Sequence, residues 1–86
     1  MDEKNTDSKE SDGTKPLKVF REGDVSASVF GREHNSVTYY SVTFSRSYEQ
    51  DGKRRYTKWF DREDLPKVIA VAKQADEYIG SLLSGA

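Results

Sequence analysis

The chain has 86 residues, of which 34% are charged and 34% hydrophobic, with no cysteine and a formal net charge of −1. That length allows a single domain, and the missing cysteines exclude disulfide staples and any cysteine-based zinc site. No apolar run approaches the length of a membrane span, and the N-terminus lacks the hydrophobic core of a secretory signal, so a cytoplasmic or nucleoid location is expected.

Residues 1–16, "MDEKNTDSKESDGTKP", hold no apolar residue except Met1. Such a segment cannot bury enough surface to offset its ordering entropy, and it reads as a disordered acidic tail. The fold is expected over residues 17–83, with residues 84–86 as a short C-terminal tail. A domain of that size is marginal as a monomer, which makes a homodimer the expected assembly. Charge is distributed unevenly. Residues 1–16 carry three basic and five acidic side chains, residues 17–60 eight and five, and residues 61–86 three and five. The middle of the chain is therefore basic between two acidic flanks, and it is the local field that selects what a surface attracts.

"LKVFREGDVSASVFG" reads as two short strands around a Glu22-Gly23-Asp24 turn, or as one long strand with a bulge at Gly23. "GREHNS" at 31–36 reads as a loop. Residues 37–48 make a third strand and 54–60 a fourth. Between them, Gln50-Asp51-Gly52 fits a three-residue hairpin loop whose last position is left-handed, with Glu49 and Lys53 as the closing pair. That register sets Val42 against Phe60, Thr43 against Trp59, Arg46 against Tyr56, Ser47 against Arg55 and Tyr48 against Arg54. A slip by one residue would exchange the two faces.

The C-terminal helix is amphipathic. Leu65, Val68, Ile69, Ala72, Ala75, Ile79, Leu82 and Leu83 recur at three- and four-residue spacing, with Lys67, Lys73, Gln74 and Glu77 opposite. Two starts are compatible with "FDREDLP". Asp61 can be the N-cap with Asp64 completing a capping box, or Asp64 can be the cap with Pro66 in the first turn. The end falls at Gly80 or at Leu83. The resulting fold class is α+β, a four-stranded antiparallel meander followed by one helix that covers one sheet face.

The strand meander, the basic and aromatic-rich hairpin with its acidic-Gly turn, and the capped C-terminal helix resemble the positive cofactor four family of single-strand-DNA-binding transcription coactivators. "VTFSRSY", the "DG" turn, a Phe before "DREDL" and the Ala-rich helix resemble small uncharacterised bacterial proteins. The resemblance covers residues 17–79. It implies a dimer formed partly through the helix, and curved sheets that present antiparallel grooves to single strands. It also implies contacts from basic and aromatic side chains on sheet and hairpin, with Tyr48 near that family's strand-end aromatic. Ser45 here supplies a hydroxyl without charge, and the dense lysine content of that family is missing.

No catalytic set is visible. His34 has no second ligand at metal spacing, Glu63 and Asp64 fit the acids of a helix start, and the hydroxyls of Ser41, Thr43, Ser45 and Ser47 have no adjacent base. A non-enzymatic protein without cofactor or metal is expected. Its site is expected to be a platform for single-stranded nucleic acid, with Arg46, Arg54, Arg55 and Lys58 on phosphates and Tyr48, Tyr56 and Trp59 stacking on bases. Ile79, Leu82 and Leu83 are the expected dimer contacts. The rival reading is a protein-interaction module that uses the same hairpin.

Overall fold

Val25, Ala27 and Val29 alternate with Ser26 and Ser28, and the apolar set is fully buried while the serines lie on the opposite face. The computed structural model describes residues 15–84. Four antiparallel strands form one sheet in the order β1-β2-β3-β4: β1 Lys18–Glu22, β2 Val25–His34, β3 Val37–Gln50 and β4 Lys53–Thr57. A 3-10 turn at Arg62–Asp64 leads into helix α1, Leu65–Ser84. The α+β meander with a C-terminal helix is the architecture read from the sequence. The acidic-tail reading falls almost wholly on residues 1–14, and the C-terminal tail mostly on 85–86, both outside the described residues. Among the described residues no helix is long and apolar enough to cross a membrane.

All three hairpins use two-residue turns. Gly23-Asp24 has positive φ at its first residue only, the pattern of a type II′ turn, whereas Asn35-Ser36 and Asp51-Gly52 are positive at both, as in type I′. The first turn settles the choice in favour of two strands over one bulged strand. The second corrects the loop expected at 31–36: β2 runs on to His34, paired with Val37. The third corrects the hairpin register. Gln50 pairs with Lys53, so Arg46 opposes Thr57, Ser47 opposes Tyr56 and Tyr48 opposes Arg55. The expected pairs Val42–Phe60 and Thr43–Trp59 do not form, because β4 ends at Thr57 and the chain leaves the sheet there.

α1 covers one face of β1 and β2. Val71 meets Val25 and Ala27, with Phe20, Val42, Phe44, Phe60 and Val68 packed around them, and Ala75 is buried one turn further along the helix. Tyr78 stacks edge-on against Phe20 with ring centroids 5.9 Å apart. A buried valine contributes about 1.5–3 kcal/mol, so a core with so few fully buried side chains leaves the domain sensitive to each anchor.

Both readings of the helix start are combined. The Asp61 N–H donates to Asp64 Oδ2 at 2.8 Å, and the Asp64 N–H donates to the Asp61 carbonyl at 2.9 Å, which caps the 3-10 turn. The α-helix proper then begins at Leu65, and Pro66 sits in its first turn, where the missing N–H costs nothing. The helix passes Gly80 and Leu83 and ends at Ser84.

A second anchor ties α1 to the first hairpin. Lys67 Nζ donates to Asp24 Oδ1 at 3.1 Å, while the Asp24 carbonyl accepts the Ser47 N–H at 2.9 Å. The hydrogen bond from Lys67 holds the Asp24 carboxyl below its ordinary value of 3.8, and its partner raises Lys67 above 10.5. A lowered acid stabilises the fold above its unfolded pKa and stops doing so as pH falls through the folded one. A raised lysine stabilises below its unfolded pKa and stops doing so as pH rises through the folded one. The stability difference between wild type and Lys67→Gln is therefore expected to be flat from about pH 4 to 10 and to shrink outside that window. Both groups are solvent-accessible, so the difference is small and falls with added salt. Melting temperatures across the pH range check this; a difference unchanged at pH 2 excludes the ion pair as its source.

Candidate nucleic-acid interface

β3 is the spine of the molecule. It pairs with β2 over Val37–Arg46 and with β4 only over Arg46–Gln50. Each end of β3 therefore carries a two-stranded arm beyond the helix-covered centre. Side chains alternate between the faces of the β3–β4 arm. Arg46, Tyr48 and Gln50, with Lys53, Arg55 and Thr57 opposite them, share the face that α1 covers further along. Ser47 and Glu49, with Tyr56 and Arg54 opposite, lie on the uncovered face.

The residues expected to form one platform are thus split. Tyr48 and Arg55 are cross-strand neighbours on the helix side, where the arm also presents Lys53 and no acid. Tyr56 and Arg54 are on the other side, where Glu49 stands opposite Arg54 and Arg54 Nη1 donates to Ser47 Oγ at 3.4 Å. That second face continues into the hydroxyl row of Ser41, Thr43, Ser45 and Ser47. Ser45 Oγ lies 3.2 Å from Ser26 Oγ on the neighbouring strand.

Arg46 is not available to a ligand. Its side chain is 20% exposed, and Nε lies 3.2 Å from both the Trp59 carbonyl and Asp64 Oδ2. The guanidinium clamps the segment leaving β4 to the start of the helix, which removes it from the expected phosphate contacts. The same clamp places Trp59. Its carbonyl is held by Arg46 and its N–H donates to Thr57 Oγ1 at 3.1 Å, both groups of the helix-side face. The indole itself is 83% exposed. The outward Trp59 read from the sequence is found, but the cause is the exit of the chain from the sheet, not strand alternation. Lys58 follows β4 and is exposed.

The spacing in the sequence makes Lys53 only the closing partner of Glu49. In the observed register it opposes Gln50, two positions along the same face from Arg55. The helix-side face of the arm therefore joins Tyr48, Lys53 and Arg55, beside Lys58 and Trp59. Tyr48 is 38% exposed and has no aromatic partner among the described residues.

The other arm, formed by the ends of β2 and β3, carries His34 exposed at its tip and an open depression of about 450 Å³ next to Arg32 and Tyr39. Among the described residues no cluster of three or more His, Asp or Glu is arranged to hold a metal ion. Of the expected dimer contacts, Ile79 is half-buried, and Leu82 and Leu83 are 38% and 67% exposed. No family model, curated protein or solved structure matches the chain.

Proposed function

We propose that the protein binds single-stranded nucleic acid on the helix-side face of the β3–β4 arm, without covalent chemistry and with little base specificity. The observation that carries the reading is an indole left 83% exposed beside an acid-free face of the arm that carries Tyr48, Lys53 and Arg55. An indole so exposed contributes little burial to the fold and is available to stack. Base–aromatic stacking is worth roughly 1–3 kcal/mol per base and accepts any base, while Lys and Arg follow the phosphates. Tyr48 and Trp59 take the stacking role, and Lys53, Arg55 and Lys58 the charge role. This is the kind of surface that the resemblance to the coactivator family implies, and it belongs in the cytoplasm or on the nucleoid.

Fluorescence titration with short oligonucleotides tests it. Single strands are expected to quench Trp59, and duplexes of the same sequence to bind more weakly because their bases are stacked away. Three cations on a single strand give an expected slope of about −2 for log affinity against log salt. Absence of single-strand binding at low salt, where the electrostatic contribution is largest, sinks the reading and leaves the arm as a protein-binding surface.

A further inference from the structure

β4 covers β3 only from Arg46 to Gln50, so nothing among the described residues pairs with the outer edge of β3 from Val37 to Ser45. That segment reads "VTYYSVTFS": β-branched and aromatic, with no charge, proline or glycine. Exposed edges of natural sheets are normally shortened, bent or charged to prevent pairing. This one has none of those protections over nine residues, and every second residue turns its N–H and C=O outward. From this edge we infer that the protein forms a symmetric dimer in which Val37–Ser45 pairs antiparallel with its counterpart in a second copy, making one continuous sheet.

The occupant and the register both follow from the molecule. A two-fold axis through Ser41 uses all nine unpaired positions, setting Val37 against Ser45, Tyr39 against Thr43, Thr38 against Phe44 and Tyr40 against Val42. Each of these pairs joins residues of the same face, so the two helices lie on the same side of the joined sheet. The partner's Asn35-Ser36 turn then meets the end of β4 at Thr57, where the chain leaves the edge. No like charges oppose each other in the seam, because the seam has none.

The helix supplies the second half of the argument. Lys67 and Tyr78 point toward the first two strands, to Asp24 and Phe20. By helical spacing, the opposite flank overhangs β3. There the apolar arc continues past half-buried Val68, Ala72 and Ile79 to Leu65, Ile69 and Leu83, which are 48%, 67% and 67% exposed, with exposed Asp76 as the charged residue among them. Gly80 lies in the same stripe, with open space where a Cβ would sit. An exposed apolar flank on the side of an unprotected edge needs a partner that brings both a strand and an apolar surface. A second copy does so by symmetry. Residues 1–14 do not, since Met1 is their only apolar side chain.

The absence of native cysteine makes the register testable. Opposed residues on antiparallel strands have Cα atoms about 4.5–5.5 Å apart, within the disulfide range. Ser41→Cys is therefore expected to give a covalent dimer under mild oxidation, and Thr38→Cys, off the axis on the same strand, is not. Sedimentation at about 50 µM is expected to report a dimer for wild type. Ser41→Lys/Thr43→Lys, at two exposed positions, is expected to sediment as a folded monomer, because charge on an edge strand blocks pairing. A monomeric wild type overturns the inference, as does a dimer that survives the two lysines. Equal cross-linking at positions 38 and 41 also overturns it. A dimer lost on Ile69→Glu but kept with the two lysines assigns the interface to the helix alone and overturns the strand pairing.

Discussion

Asp64→Ala is expected to remove about 2–4 kcal/mol of stability, a large share of the total for a domain this small. Asp64 is 5% exposed and its carboxylate accepts from two donors. One is the Asp61 N–H, which opens the 3-10 turn; the other is Arg46 Nε on β3. The substitution uncaps the turn, worth about 1 kcal/mol by itself. It also strands a guanidinium that is only 20% exposed. A charge that has lost its partner while largely out of water costs more than the pair contributes when intact. Asp64→Asn keeps the volume and one acceptor and is expected to fall between alanine and wild type. Glu63→Ala, the exposed acid next to it, is expected to stay within about 0.5 kcal/mol. Urea unfolding with an unchanged slope checks all three. Equal losses at positions 63 and 64 reduce the effect to helix-dipole electrostatics and exclude the clamp.

That clamp also explains why the sequence is legible in some places and not in others. Val25, Ala27 and Val29 alternate with serines, and the apolar positions of α1 repeat at helical spacing, so sheet, helix and the face between them follow from period alone. Hairpin register does not. Gly52 satisfies a left-handed position in a three-residue loop as well as in a type I′ pair, and the charges of Glu49 and Lys53 favour the longer loop by only a few tenths of a kcal/mol. The observed Gln50–Lys53 closure sets Glu49 opposite Arg54 instead, an equally complementary pair, so charge does not choose between the two registers. The tip of the other arm was hidden for a related reason. In a two-stranded ribbon with solvent on both sides, Arg32, Glu33 and His34 show no alternation, so an extended strand looks like a loop.

The end of β4 was hidden by its own side chains. Trp59 and Phe60 continue an alternating aromatic pattern, and nothing local says that the strand stops at Thr57. What stops it is tertiary. Phe60 turns into the core, and Arg46 takes the Trp59 carbonyl while it holds Asp64. The residue that looked most like a phosphate ligand is the one that fixes the platform, and its burial could not be read from spacing. The same tertiary exit opens the edge of β3 from Thr43 to Ser45, which a fourth strand running to Phe60 in this register would have covered.

Splitting the arm into two faces gives the second large effect. Tyr48→Ala and Trp59→Ala are each expected to weaken single-strand binding by roughly 1–3 kcal/mol, about 5- to 150-fold, with the salt slope unchanged. Lys53→Ala with Arg55→Ala is expected to flatten that slope, since two of the three cations are gone. Tyr56→Ala and Arg54→Ala, on the opposite face, are expected to leave both affinity and slope where they are. All of these side chains are exposed, so each variant keeps its fold and the comparison reads binding alone. Tyr48→Phe separates stacking from hydrogen bonding, because the ring is kept and the hydroxyl lost; affinity close to wild type is expected. If instead Tyr56 and Arg54 carry the affinity, the strand runs along the hydroxyl row from Ser41 to Ser47. The helix-side platform is then excluded, because the two faces are separated by the sheet and one strand cannot contact both within the arm.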